Sequence, residues 1–236
     1  MIMLNLQEQT PLTNREKEVY RTLRTNIEFT GIENRVIAVT SCLPDDGKTT
    51  VSYNLASVFA ESGKRVLYVD ADLRKSVFVQ RYQLEGEPKG LSHFLSGQAF
   101  LQDVIYKTNK EGVYVLPVGT FPSNPTELLG KSRFKMLLEK AKEKFDYILV
   151  DTPPLGSVID AAVIAKNCDA SMLVIAANKV SRHLAKGVTK QLRAANPNFL
   201  GVVLNKIDVK QNSYYGKHYG GYYGKRYASY YSHDDN

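Results

Sequence analysis

The chain has 236 residues, enough for one large domain with a substantial core, and its hydrophobic content of 43% is that of an ordinary globular protein. It has two cysteines, no apolar run near the ~18 residues of a membrane span and no signal-peptide pattern, so we expect a cytoplasmic protein without disulfides. The net charge of +7 favours anionic partners, without choosing among nucleotides, lipid head groups and nucleic acid.

Helices and strands alternate along the chain. The first helix is predicted from a capping box, because Thr13 and Glu16 have the spacing at which each side chain bonds the other's backbone. In chain order the predicted elements are helix 13–29, strand 35–41, helix 47–63, strands 65–72 and 113–119, helix 126–143, strand 146–154, helix 158–166, strand 171–177, helix 181–194 and strand 200–208. This alternation indicates an α/β fold, with a mostly parallel sheet covered by helices on both faces.

The composition changes once, after Asp208. We predict a folded domain over residues 1–208 and a flexible, disordered tail over 209–236, because the tail has almost no aliphatic side chains to bury. More than half of the chain's 15 tyrosines lie in this tail, among glycines and lysines that cannot build a core. They are Tyr214, Tyr215, Tyr219, Tyr222, Tyr223, Tyr227, Tyr230 and Tyr231.

The segment VIAVTSCLPDDGKTT predicts a phosphate-binding loop between a strand and a helix. Backbone N–H groups at the start of that helix favour phosphate, Lys48 can reach the β- and γ-phosphates, and the Thr49 hydroxyl can bind Mg²⁺. The segment departs from the pattern G-x-x-x-x-G-K-[ST] at its first glycine, where this chain has Cys42. Its strand–loop–helix context nevertheless favours a P-loop over an ordinary helix start. The predicted nucleotide contacts are Pro44, Asp45, Asp46, Gly47, Lys48, Thr49, Thr50 and Asn205.

Three aspartates follow apolar stretches of two other predicted strands. Asp70 and Asp72 end one strand, and Asp151 ends another in the position of a Walker B aspartate. The carboxyl ends of parallel strands are where open α/β sheets bind ligands. Carboxylates gathered there repel one another unless a cation lies among them, and Mg²⁺ bound with ATP supplies one. A positioned aspartate can also accept the proton of a hydroxyl nucleophile.

These motifs together resemble the bacterial tyrosine kinases (BY-kinases), a P-loop family related to MinD and ParA. The resemblance is to the cytoplasmic type used in capsular and exopolysaccharide synthesis, and it runs from EVYRTLRTNIEF through SNPTELL (123–129) to the tyrosine tail. It implies an ATP-dependent, non-specific protein-tyrosine kinase that phosphorylates its own tail in trans within a ring. By the resemblance Lys48 binds phosphate, Asp70 is the base toward tyrosine, and Thr49, Asp72 and Asp151 hold the metal. The family usually has glycine at position 45, so Asp45 is a departure beside the phosphates.

The resemblance also implies partners. Glu18, Arg21 and Arg24 match the family's E-x-x-R-x-x-R element, which makes residues 1–34 an oligomerisation region, although the same spacing also describes an ordinary charged helix face. Related kinases without a membrane span work with a separate transmembrane adaptor. We therefore expect recruitment to the inner face of the cell membrane through an adaptor, and a phosphotyrosine phosphatase that acts on the tail.

Three other functions fit parts of the sequence. A MinD/ParA-like positioning ATPase would carry an extra lysine where this chain has Leu43, and it has no use for a tyrosine tail. A GTPase is suggested by N-K-x-D at 205–208, but the strand end VVLNK also occurs in the kinase family. A nucleic-acid module would use tyrosines among basic residues, yet from Lys210 onward the tail carries only four basic against two acidic residues, so we expect no nucleic-acid partner.

One predicted helix face is basic. Its four residues follow the helical spacing i, i+4, i+8 and i+11, and they are Arg182, Lys186, Lys190 and Arg193. A solvated face is the favoured interpretation. The alternative is a docking surface for an adaptor segment or an anionic membrane.

Overall fold

The computed structural model describes residues 3–7, 11–83 and 86–207. The described helices are α1 (Asn14–Glu28), α2 (Lys48–Glu61), α3 (Phe78–Arg81), α4 (Leu91–Leu95), α5 (Leu101–Val104), α6 (Pro125–Gly130), α7 (Ser132–Lys142), α8 (Asp160–Ala165) and α9 (Arg182–Ala195). The described strands are β1 (Met3–Leu4), β2 (Val36–Ser41), β3 (Val66–Asp70), β4 (Tyr106–Thr108), β5 (Val113–Leu116), β6 (Tyr147–Asp151), β7 (Ala170–Ala176) and β8 (Phe199–Asn205).

The strands form one sheet in the order β1-β4-β5-β3-β6-β2-β7-β8. Every neighbouring pair is parallel except β4 and β5, which are antiparallel. The predicted α/β fold with a mostly parallel sheet is therefore confirmed. Strands β3, β6 and β2 lie side by side in the middle, so the loops that follow them meet at one sheet edge, where doubly wound sheets bind ligands.

The three central strands are buried along their whole length, which explains why their sequences are continuous apolar runs rather than alternating ones. On one face of the sheet α1 and α2 contribute Ile27, Leu55 and Phe59 to the core. On the other face the core contains side chains of α7, α8 and α9, such as Leu137 and Ile164. The helices cover both faces of the sheet, and the phosphate loop between β2 and α2 lies at an end of the sheet that they do not cover.

Some predicted boundaries differ from the structure. The helix predicted over 126–143 is two helices, because Lys131 between α6 and α7 is extended, with φ −73° and ψ 152°. The strands predicted over 65–72 and 146–154 end at Asp70 and Asp151, so the motif residues that follow lie in loops. The capping box of the first helix is confirmed, since Thr13 and Glu16 bond each other's backbone N–H groups.

None of the helices in the described ranges is both long and apolar enough to cross a bilayer.

Asp208 and the predicted tail over 209–236, with its eight tyrosines, lie outside the described residues. The tail's flexibility therefore stays a prediction, as does the domain boundary at 208.

Candidate active site

The phosphate loop depends on a glycine that no other residue can replace without a shift of its neighbours. Gly47 precedes α2 with a φ of 98°, in the left-handed region that favours glycine. A Cβ atom at this position would also lie 2.1 Å from Nδ2 of Asn205. Asp45, where the resemblance leads one to expect glycine, has a φ of 61°, a conformation that aspartate tolerates better than most residues.

Side chains from three places hold the loop in shape. Asp46 accepts a hydrogen bond from the backbone N–H of Leu43 at 2.9 Å, which closes the loop on itself. The amide of Asn205 donates to the carbonyl oxygen of Asp46 at 2.9 Å, and two lysines bind the loop's other carbonyls. Those lysine contacts are Lys179 Nζ to Pro44 O at 3.0 Å and Lys206 Nζ to Asp45 O at 2.6 Å. Since these external donors bind carbonyl oxygens, they do not compete with a phosphate for the loop's N–H groups.

Lys48 lies at the centre of the predicted carboxylates. Its Nζ atom is 3.3 Å from Oδ2 of Asp72 and 3.4 Å from the hydroxyl of Thr49, and the side chain is 12% exposed. Burial alone would lower the pKa of Lys48, but the charges of Asp151, Asp72 and Asp70 outweigh burial and raise it. Lys48 is therefore held as a cation at the start of α2, where a phosphate would bind.

Asp151 is fixed by two hydroxyl groups. Its Oδ2 atom accepts hydrogen bonds from Thr49 at 2.6 Å and from the phenol of Tyr68 at 2.9 Å. Burial raises the pKa of Asp151, and Lys48 and the two hydroxyls act in the opposite direction. Tyr68 is missed by the sequence prediction, because its position in the middle of β3 gives only the signal of a core aromatic residue.

Asp70 lies directly beside Asp151, since the two are paired in the β3–β6 register. It is buried and accepts a hydrogen bond from the hydroxyl of Ser76 at its Oδ2 atom. Burial, and then the neighbouring charge of Asp151, raise the pKa of Asp70 to about 8. Ser76, six residues further along the chain, is a second residue that the sequence prediction does not find.

The carboxylates fit a divalent cation. The Oδ1 atoms of Asp70 and Asp151 are buried without a hydrogen-bond partner, and such oxygens are the ligands that Mg²⁺ prefers. Within the described ranges no three His, Cys, Asp or Glu side chains form a cluster that would hold a metal by themselves. Mg²⁺ typically takes one or two carboxylates and completes its coordination with phosphate oxygens and water. Asp70 and Asp151 therefore each offer a buried oxygen to a cation, and the Thr49 hydroxyl lies beside Asp151. Asp72, also predicted to hold the metal, contacts Lys48 and the backbone N–H groups of Arg74 and Lys75.

An ion pair between the half-exposed Arg74 and the buried Asp160 connects the site to α6 and α8. Arg74 donates to both carboxylate oxygens of Asp160, at 2.6 and 3.0 Å, and Thr126 donates to the same carboxylate at 2.6 Å. Burial raises the pKa of Asp160, but the hydrogen bonds from Arg74 and Thr126 outweigh it and keep that pKa low. Arg74 of the motif VLYVDADLR and Thr126 of the motif SNPTELL therefore lie together at Asp160. These contacts anchor the loop after β3 to α6 and α8.

The first-helix residues lie apart from this site, on α1. Glu18 and Arg21 are exposed and form an ion pair at 2.5 Å, and Arg21 also lies 3.8 Å from Glu61 of α2. Arg24 instead turns into the chain, where Nη1 donates to the carbonyl oxygen of Val58 at 3.0 Å. The three residues predicted as one interface are thus two surface residues and one that ties α1 to α2.

Comparison with known proteins agrees with this geometry. The family model of an AAA domain matches residues 34–197. The tyrosine-protein kinase CpsD of Streptococcus agalactiae is 41% identical over 206 residues, which cover 85% of this chain and 90% of that protein. The kinase domain of the Escherichia coli tyrosine kinase ETK has a TM-score of 0.79 at 32% identity, covering 88% of this chain and 90% of that one.

The same comparison also finds positioning ATPases. The septum site-determining protein MinD of Pyrococcus horikoshii, solved in complex with Mg-ADP, has a TM-score of 0.65 at 28% identity. That similarity covers 76% of this chain and 72% of the MinD chain. Coverage, identity and TM-score are all higher for the ETK kinase domain, so the described part of the chain is more similar to that kinase than to this ATPase.

Proposed function

The chain belongs to the bacterial tyrosine-protein kinase family, and from this premise we propose that it transfers the γ-phosphoryl group of ATP to the tyrosines of its own C-terminal tail. One observation carries the choice of substrate. Asn205 and Lys206 both contact the phosphate loop. The segment that holds eight tyrosines begins a few residues later in the sequence, after Asp208. The acceptor cluster is therefore attached at the rim of the candidate site.

The proposed residue roles are those that the family resemblance implies, and the site's contacts support them. Lys48 and the N–H groups of the loop bind the β- and γ-phosphates of ATP. Asp70 accepts the proton of the attacking tyrosine, since it is buried beside the phosphate loop with one oxygen free of hydrogen bonds. Thr49, Asp72 and Asp151 hold Mg²⁺, which supplies positive charge to the phosphate oxygens. Tyr68 and Ser76 orient Asp151 and Asp70 through the hydrogen bonds described above.

The tail is long enough to reach a site in its own or a neighbouring chain. From Asp208 to Tyr231 there are 23 residues, for which a flexible segment has a root-mean-square span of about 25–30 Å. Reach therefore does not choose between cis and trans transfer. We propose transfer in trans within a ring, as the family resemblance implies.

The test replaces all eight tail tyrosines by phenylalanine in the full chain. We expect phosphotyrosine formation with Mg-ATP to fall at least tenfold, with ATP binding within twofold of wild type, because no substituted side chain belongs to the described nucleotide site. Phosphosite mapping by mass spectrometry measures both the loss and the sites used in wild type. Phosphorylation of wild type mainly at Tyr20 would contradict the proposal. Tyr53 and Tyr68 are not expected to be phosphorylated, because they are buried in the core.

Self-association is proposed to use the outer face of α1. Besides Glu18 and Arg21, this region exposes three large apolar side chains, with Val19 at 62%, Phe29 at 83% and Ile32 at 90% exposure. Exposed large apolar side chains bordered by charges are typical of protein–protein contacts. Arg24 contributes indirectly, since its bond to Val58 fixes α1 on α2.

We predict that Arg21→Ala lowers the molecular mass of the assembly and slows phosphorylation severalfold, with a rate that rises with protein concentration. The matched control is Arg15→Ala, which removes the same charge from an exposed position on the same helix. Light scattering without ATP measures the mass. Equal masses for Arg21→Ala and wild type would remove Arg21 from the interface.

The cellular role is also a proposal. We propose that the kinase regulates capsular or exopolysaccharide synthesis at the inner face of the membrane, with a separate transmembrane adaptor and a phosphotyrosine phosphatase as partners, as the family resemblance implies. A MinD-like positioning ATPase is the second candidate, supported by the likeness to MinD in fold. It predicts hydrolysis of ATP without any phosphotyrosine, so the mass-spectrometric experiment separates the two.

A further inference from the structure

The solvent-facing side of α9 carries a row of four cations, and none of them takes part in the contacts of the candidate active site. All four are exposed, while the opposite side of the helix buries Val188 and Leu192 in the core. With a rise of 1.5 Å per residue, the row spans about 16 Å along the helix. Its members are Arg182, Lys186, Lys190 and Arg193, called here the α9 row.

The α9 row is not balanced by acidic side chains. The sequence of α9, RHLAKGVTKQLRAA, contains no aspartate or glutamate, and among the described residues no ion pair involves any of the four cations. Some exposed charges on other helices are paired, as Lys135 is with Glu139 on α7. Like charges one turn apart destabilise a helix, so a row of one sign indicates a surface suited to an anionic partner.

We propose that the α9 row binds the chain's own C-terminal segment 209–236 after its tyrosines have been phosphorylated, an inference that rests on the proposed function. The topology brings the two together. Helix α9 connects β7 to the parallel, neighbouring strand β8, so the start of α9 and the end of β8 lie at the same edge of the sheet. Ile207, the last described residue before the segment, and Arg182, the first cation of the row, therefore both lie toward this edge.

Charge makes the interaction conditional on phosphorylation. From Lys210 onward the unmodified segment has a net charge of +2, from four basic and two acidic residues, and the α9 row repels it. Each phosphate adds about −1.5 to −2, so three phosphates bring the net charge to about −2.5 to −4. Covalent attachment also gives the segment an effective concentration of about millimolar, which strengthens a weak contact.

The spacing of the tyrosines matches the row. Successive tyrosines or tyrosine pairs in the segment lie three to five residues apart, and four extended residues span about 13 Å. Two phosphotyrosines at that spacing fit within the ~16 Å of the α9 row, one near each end. Arginine and lysine both bind phosphate, arginine through two N–H groups at once.

An anionic membrane is a less suitable partner for this face. Helices that lie on a membrane border their basic side chains with large apolar ones that enter the lipid. The apolar residues Val188 and Leu192 of α9 are instead buried in the core, and the exposed positions between the cations hold only small or polar residues, such as Gly187 and Gln191. The structure favours an occupant that binds through charge alone.

The test titrates full-length, unphosphorylated protein without ATP against a fluorescent synthetic peptide of residues 209–236. One form of the peptide carries phosphate at Tyr219, Tyr223 and Tyr227, and the other carries none. The variant replaces all four cations of the α9 row by glutamine. Its matched control replaces four exposed lysines on or beside α7 by glutamine, and so changes the net charge equally. These are Lys131, Lys135, Lys140 and Lys144. Thermal unfolding midpoints verify that both variants are folded.

We expect the phosphopeptide to bind wild type and the α7 control within twofold of each other, and to bind the α9 variant at least tenfold more weakly. The unphosphorylated peptide should bind wild type at least tenfold more weakly than the phosphopeptide. Wild type that has first phosphorylated its own tail should also bind the phosphopeptide severalfold more weakly, because that tail occupies the row.

Equal affinity of the phosphopeptide for wild type and the α9 variant would overturn the inference. If wild type, but not the α9 variant, then sedimented with phosphatidylglycerol vesicles, the row would be a lipid surface. The peptide titration needs no kinase activity, so a wild type that leaves its own tail unmodified contradicts the proposed function and leaves this test intact.

Discussion

Lys48→Met is expected to lower the rate of phosphotyrosine formation by about a hundredfold to a thousandfold, the usual cost of removing one donor that stabilises charge at a reacting centre. Lys48 is the cation that lies among Asp70, Asp72 and Asp151, and its amine is the group of the phosphate loop that can reach the β- and γ-phosphates. Methionine has a similar length but no charge. The substitution therefore removes the phosphate contact without shortening the side chain greatly.

The measurement is the initial rate of phosphate incorporation into tyrosine, followed by mass spectrometry, with nucleotide affinity measured in parallel. Because methionine leaves the buried carboxylates without their cation, the unfolding midpoint of the variant must be compared with that of wild type. Lys48→Arg, which keeps the charge, separates a loss of charge from a loss of fold. Lys140→Met on the exposed face of α7 is the control for the substitution itself. Phosphorylation at the wild-type rate in folded Lys48→Met protein would remove Lys48 from the reaction.

The central part of the site was predictable because its signals are local. A buried strand followed by Gly47, Lys48 and Thr49 specifies a phosphate loop within a few residues, and the apolar runs before Asp70 and Asp151 place both at strand ends. The parallel pairing of β3 with β6 then brings the two carboxylates side by side. No long-range information beyond strand order is needed for that result.

Other parts of the site depend on contacts between residues far apart in the chain, which a single sequence does not reveal. Tyr68 meets Asp151 across 83 residues, and Lys206 meets Asp45 across 161. Strand β1, with two residues, and strand β4, with three, are too short for a recognisable pattern and exist through pairing with their neighbours. The surface spacing on α1 likewise gave no sign of the bond from Arg24 to the carbonyl oxygen of Val58.

Asp70→Asn is the substitution that tests the chemistry rather than the binding of nucleotide. We expect the rate of phosphoryl transfer to fall by about a hundredfold to ten-thousandfold, the range that a positioned general base contributes. Asparagine has the shape of aspartate and can still accept the hydrogen bond from Ser76, but it cannot take the proton of a tyrosine hydroxyl. The affinity for ATP should change less than fivefold, because Lys48 and the loop, which are proposed to bind the phosphates, remain.

Asp72→Asn provides the contrast within the same loop. Asp72 contacts Lys48 at 3.3 Å and is proposed to hold the metal, so this variant should weaken nucleotide binding in the presence of Mg²⁺ as well as slow the reaction. Single-turnover rates at saturating Mg-ATP, with nucleotide affinity measured separately, distinguish the two effects. If Asp70→Asn lost affinity and turnover in parallel, as expected for Asp72→Asn, Asp70 would be a ligand of the metal and the proton of the tyrosine would need another acceptor. If Asp70→Asn kept its turnover, the reaction would need no base at this position, in line with a loose transition state in which little proton transfer has occurred.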